Sequence, residues 1–205
     1  MEKKITFISD QLVLEGMYNK LSASRGAIIT HPHPLYGGDM TNPVVESMVF
    51  SFNKKNYSTL RFNFRGVGES EGEYDEGIGE QSDILAAIDF LCTQGATSIY
   101  LVGYSFGAWV LARIKELPAE ISGEIFVSPP LALLPYESDL TIPLLKLVIT
   151  GEEDEIAPAE LIEKNLAGWN PGAQFEIVDF ADHFYYGCFG DLEEIVTDYL
   201  SLLGP

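Results

Sequence analysis

Cysteine is scarce in this sequence, and basic side chains are heavily outnumbered. Two cysteines, Cys92 and Cys188, cannot build the multiply bridged framework of a small secreted domain. Both read instead as reduced thiols in or near the core. Twelve Lys and Arg face 31 Asp and Glu, for a net charge of −19. Affinity for phosphate comes largely from basic side chains, so this balance argues against nucleic acid and anionic membrane as partners. No apolar run approaches the roughly 20 residues that span a bilayer. The stretch from Met1 to Phe7 lacks the apolar centre and small-residue cleavage site of a signal peptide. The expected compartment is therefore the cytoplasm. Internal repeats, linkers and low-complexity tracts are also missing.

What is present is a chain of 205 residues, 46% hydrophobic, enough for one domain with a full core and too short for two comfortable ones. Ile5 and Phe7, then Leu12 and Leu14, alternate with polar residues around Ser9-Asp10, which predicts an antiparallel hairpin at a sheet edge. After it, short apolar strands alternate with amphipathic segments. Strands are expected at Ala27–Thr30, Tyr57–Phe64, Ser98–Val102, Gly123–Val127, Leu144–Ile149 and Phe175–Val178. Helices are expected at Val44–Asn53, Glu80–Cys92, Phe106–Glu116, Ala159–Leu166 and Leu192–Leu203. This alternation predicts an α/β domain, a mostly parallel sheet with helices on both faces. In such sheets chemistry sits beyond the carboxyl ends of the strands. The residues to inspect are His31 to Gly38, Gly66 to Ser70, Gly103 to Gly107, Gly151 to Pro158 and Ala181 to Gly187.

One of these turns carries a nucleophile pattern. Gly103-Tyr104-Ser105-Phe106-Gly107 lies between a β-forming run and a helix-forming run. A turn this sharp strains the serine backbone, and side chains two residues to either side would collide with it. Glycine at both places removes the collision and leaves Oγ exposed above the sheet. The Phe106 N–H, at the start of the next helix, can face a developing oxyanion.

This strand–turn–helix serine resembles that of the α/β-hydrolases, and the resemblance covers nearly the whole chain. In that fold the order is Ser, then Asp or Glu, then His. His183 is the only histidine after Ser105, so the resemblance implies it as the base. The acid is implied within Gly151-Glu152-Glu153-Asp154-Glu155. Asp154 is preferred, because Gly-x-x-Asp-x-Ile-x-Pro matches the family's acid loop; Glu152, Glu153 and Glu155 read as solvated charges. Asp182 is a weaker candidate, since sequence neighbours on an extended loop generally point apart. The second oxyanion donor is expected in His31-Pro32-His33-Pro34-Leu35. The prolines have no N–H, which leaves His33, with Leu35 as the alternate.

Arg61 to Ser70 resembles the family's Asp-x-Arg-Gly-x-Gly-x-Ser loop, with Asn63 where Asp is usual. The combination of His-Pro-His-Pro, Arg-Phe-Asn-Phe-Arg and Gly-Tyr-Ser-Phe-Gly is similar to small bacterial hydrolases near the dienelactone-hydrolase and S9-like peptidase branches. Dienelactone hydrolases use Cys as nucleophile, whereas this chain has Ser105. The resemblance implies an esterase-type enzyme without a cofactor.

Many relatives insert a helical cap before the acid loop, yet only a short stretch joins Ser128 to Leu144 here. An open, lidless site is expected, rimmed by Tyr36, Phe106, Leu133, Leu134, Tyr136 and Phe184. The favoured function is hydrolysis of a small carboxylic ester or thioester, the substrate being the only partner expected. An aminopeptidase would need a carboxylate anchor for the substrate amine, for which Glu69, Glu71, Glu73 and Asp75 are candidates. A non-catalytic binding module is disfavoured by the complete residue set. His31, His33 and His183 also suggest a metal, but alternate strand residues point to opposite faces. No metal is expected.

Overall fold

The computed structural model describes residues 1–204, and its backbone is organised by one eight-stranded sheet. Strands β1 (Lys3–Ser9) and β2 (Leu12–Asn19) form the predicted antiparallel hairpin at one edge. Asp10 and Gln11, at φ 47° and 72°, make a two-residue turn whose positive φ values match the twist of the strands it joins. The remaining strands are β3 (Arg25–Thr30), β4 (Ser58–Phe62), β5 (Ser98–Tyr104), β6 (Ile121–Val127), β7 (Leu145–Gly151) and β8 (Gln174–Val178). The spatial order is β1-β2-β4-β3-β5-β6-β7-β8. β2 meets β4 antiparallel, and every later pairing is parallel.

Alternation along the strands divides the core into two layers. On β3, Ala27 and Ile29 face one side and Ile28 the other; on β5, Tyr100 and Val102 oppose Leu101. The first layer is covered by α1 (Pro43–Lys54) and α5 (Phe189–Leu202). The second is covered by α2 (Gly79–Thr93), α3 (Phe106–Leu111) and α4 (Ala159–Trp169). Helix α1 starts where local chemistry directs, with the Asn42 side chain accepting from the Val44 N–H at 2.9 Å and Pro43 in the first turn.

Helix α3 is shorter than expected. It ends at Leu111 rather than Glu116, and the chain tightens into turns bonded three residues apart at Arg113 and Ile114. The Arg113 guanidinium lies 4.2 Å above the Trp109 ring and donates to the Glu76 carbonyl at 3.1 Å. Beyond Leu111 the chain leaves the helical path although Ala112 to Glu116 are ordinary helix formers. No helix among the described residues is long and apolar enough to cross a membrane.

Candidate active site

Four loops meet above the carboxyl ends of β3, β5, β7 and β8. At the end of β5, Ser105 adopts φ 52°, ψ −114°, a region that L-residues rarely occupy. Its N–H is held by the Val127 carbonyl at 2.9 Å. Both flanking glycines are needed sterically, Gly103 by the turn itself and Gly107 by the neighbouring strand β3 rather than by the serine. A Cβ on Gly103 would sit 2.5 Å from the Ala108 backbone, and one on Gly107 would sit 2.2 Å from Thr30 Oγ1.

The loops after β7 and β8 are clasped together. Glu153 N–H donates to the Ala181 carbonyl at 2.9 Å, and a Cβ on Gly151 would sit 2.2 Å from that oxygen. Tyr104 Oη donates to the His183 carbonyl at 2.8 Å. His183 is thereby placed between two partners. Its Nε2 lies 2.9 Å from Ser105 Oγ, and its Nδ1 lies 2.9 Å from each Asp154 carboxylate oxygen. The carboxylate can only accept, so the imidazole proton belongs on Nδ1 and the Nε2 lone pair faces the serine.

Asp154 is 3% exposed, and its Oδ1 also accepts from Ile156 N–H at 2.9 Å and Ala157 N–H at 2.7 Å. Burial alone would raise its pKa. The His183 ring and the surrounding donors outweigh burial and hold the carboxyl below its ordinary value. The other acids in these loops are engaged elsewhere or solvated. Glu152 accepts from Phe180 N–H at 3.0 Å, and Asp182 from Phe184 N–H at 2.9 Å.

In the loop after β3, the His33 and Leu35 alternatives separate. The Leu35 N–H donates to His33 Nδ1 at 3.2 Å, so it is already engaged. The backbone N–H groups of His33 and Phe106 have no hydrogen-bond partner among the described residues. The His33 ring packs 4.8 Å from the Phe106 ring, bringing the two segments together. His31 belongs to the core. Its Nδ1 donates to the Pro32 carbonyl at 2.7 Å and its Nε2 accepts from Phe64 N–H at 3.1 Å. Burial lowers its pKa to about 4, so the ring stays neutral, with both nitrogens committed to backbone.

Ser105, Phe106, His33 and His183 line a cavity of about 350 Å³, together with the expected Tyr36, Leu133, Leu134 and Phe184. Tyr136 was expected at this rim and is not there. Its ring stacks 5.2 Å from Trp169 and faces a different cavity. Sequence reasoning missed Pro130 and Ile156 on the wall, because nothing in their neighbourhoods separates a wall from a loop. The loop after β4 also stays out of the site. Asn63 Nδ2 and Glu69 N–H both donate to Glu15 Oε1 at 2.7 Å, while Ser70 Oγ donates to the Asn63 carbonyl at 2.7 Å. Asn63 is thus a positioning residue for that loop. Glu71 accepts from Val13 N–H at 2.8 Å and Asp75 from Gly79 N–H at 3.0 Å. No carboxylate side chain lines the 350 Å³ cavity.

Fold and loop placement define an α/β-hydrolase. Residues 36–199 match the model of the alpha/beta hydrolase family, and the chain belongs to that family. Its fold is similar to an α/β serine hydrolase homologue from Coxiella burnetii, at 30% identity and TM-score 0.85 over 97% of each chain. It is also similar to an α/β serine hydrolase without a lid from Xanthomonas campestris. That pair shares 27% identity and a TM-score of 0.89, over 100% of this chain and 95% of the other. An uncharacterized protein of Rickettsia prowazekii is 33% identical over 201 residues, spanning 91% of this chain and 84% of that protein.

Proposed function

We propose that the protein is a serine hydrolase that cleaves small carboxylic esters or thioesters through an acyl-enzyme. The observation that carries this reading is the continuous relay from Ser105 Oγ through His183 to Asp154, with both links at 2.9 Å. Ser105 Oγ attacks the substrate carbonyl while His183 Nε2 takes its proton. Asp154 keeps the imidazole in the required tautomer and stabilises the imidazolium that forms. The carbonyl oxygen becomes an oxyanion received by the Phe106 and His33 N–H groups. His183 then returns the proton to the leaving alcohol or thiol. Water, deprotonated by His183, releases the acyl group and regenerates Ser105.

Cavity chemistry supports an uncharged acyl group of modest size. The walls are mostly apolar, and Tyr36, Leu133 and Phe184 at the rim are at least half exposed. Such a surface admits substrate without a lid opening. An aminopeptidase would need an anchor for the substrate amine, and the acidic residues considered for it lie outside the cavity. The net charge of −19 supports a small neutral substrate in preference to a polyanion.

The direct test is Ser105→Ala assayed with a short-chain p-nitrophenyl ester. Turnover should fall by roughly 10⁴-fold or more with circular dichroism unchanged. A fluorophosphonate probe should label the native chain and not the variant. Residual turnover near the native rate in a folded variant sinks the proposal.

A further inference from the structure

A second cavity, of about 870 Å³, lies beneath α3 and shares no lining residue with the one around Ser105. It is walled by Trp109, Ile114, Leu140 and Ile142, and two polar side chains also line it. One is Glu124 on β6, 2% exposed, whose Oε1 is buried without a hydrogen-bond partner and whose carboxyl makes no ion pair among the described residues. The other is Tyr136, which lines the cavity while its hydroxyl, without a hydrogen-bond partner, is sealed from it. Native interiors rarely leave a carboxyl unmatched, and Glu124 on this lining is open to a partner that the cavity could admit. We propose that this cavity is a binding site for a small organic cation, an amine on an apolar body, with Glu124 as its counter-ion.

The chemistry selects a cation over other small molecules. An ammonium group supplies charge-assisted donors to the buried Glu124 carboxylate. An apolar body fits the remaining wall of Trp109, Ile114, Leu140 and Ile142. Other charged groups on the lining do not compete for Glu124. Arg113 lies over Trp109 and donates to Glu76, Lys115 is exposed, and Glu137 and Asp139 are exposed carboxylates on the same loop as Tyr136. Helix α2 contributes the uncharged Gln81. An anion would meet a carboxyl at the floor and a strongly acidic surface outside.

Burial pushes the Glu124 pKa up to about 8, so the free protein keeps this carboxyl protonated at neutral pH. A bound ammonium reverses that preference, and the proton leaves to solvent as the cation enters. Binding should therefore tighten as pH rises.

The test is a titration with n-hexylamine followed by tryptophan fluorescence. Trp109 lines the cavity and Trp169 stacks on Tyr136, and these are the only two tryptophans in the sequence. A saturable change is expected, with affinity rising about tenfold between roughly pH 7 and pH 9 as the carboxyl ionises. Glu124→Gln should lose that pH dependence and bind about tenfold more weakly, and n-hexanol should bind native protein more weakly than the amine. Should the variant misfold, the pH dependence of the native chain decides alone. Absence of saturation below the order of 10 mM, equal binding of alcohol and amine, or pH-independent affinity each overturns the proposal. The readout is binding rather than turnover, so the outcome is independent of whether Ser105 is a nucleophile.

Discussion

Ser105 stands at φ 52° with its side chain on His183, and the same histidine rests on a carboxylate buried to 3% exposure. Three consequences follow from single side chains. Asp154→Asn replaces an acceptor by a group that can present a donor to Nδ1, favouring the wrong tautomer; kcat on an ester substrate should drop by roughly 10³ to 10⁴-fold. His183→Ala removes the base and should lower kcat by a comparable factor. A folded variant with near-native turnover contradicts the assignment of His183. The third consequence concerns Glu124. Its folded pKa of about 8 lies above the ordinary carboxylate value, so between the two the folded state binds the extra proton. That contribution to stability is complete below the ordinary carboxylate range and is lost as pH rises through about 8. Glu124→Gln should therefore gain stability over the native chain as pH rises from the ordinary carboxylate range past 8, on the order of 5 kcal/mol in all. Urea denaturation at several pH values measures it. Asp154 has the opposite sign. Its lowered pKa stabilises the fold above the ordinary carboxylate range, and the benefit is lost as pH falls through the folded value.

Among the elements, the loop after β3 and the turn after β5 have the sharpest requirements. His33 has φ −59°, a value proline adopts without strain, and its N–H is free of internal partners. His33→Pro removes that donor and should lower kcat by about 10² to 10³-fold, the usual cost of losing one oxyanion contact. His33→Ala, which keeps the N–H, should retain most activity. Equal losses in both variants would place the role in the ring. Helix α3 shows how far local reading reaches. Its start was legible because Gly-x-Ser-x-Gly dictates the turn; its end was not, because Ala112 to Glu116 are ordinary helix formers.

Across the whole molecule, the hairpin edge is tied to the sheet and α2 through one buried ion pair. Arg65 meets Asp83 at 2.8 Å, Asp10 at 3.1 Å and, through Asp83, the Ser9 hydroxyl at 2.7 Å. Asp83 is fully buried, so Asp83→Ala leaves the Arg65 charge without its main partner and should cost about 3 to 5 kcal/mol in urea denaturation. The segment from Ser128 to Leu144 has a whole-molecule role that its length concealed. It leaves the Ser105 cavity open on one side and closes the Glu124 cavity on the other. Leu133 and Leu134 line the first, Pro135 and Tyr136 the second.

Sequence by itself determined the strand–helix alternation, the strained serine turn and the residues available as base and acid. Each of these is written in local spacing or in a small count, such as a single histidine after Ser105. Only the tertiary structure decided which carboxylate reaches His183, which N–H in the proline loop remains free, and where Tyr136 points. It also decided that Glu124, an acidic residue in an otherwise apolar strand, is buried without a partner. Burial depends on what distant segments cover, and no pattern around residue 124 encodes the arrival of the loop that brings Tyr136.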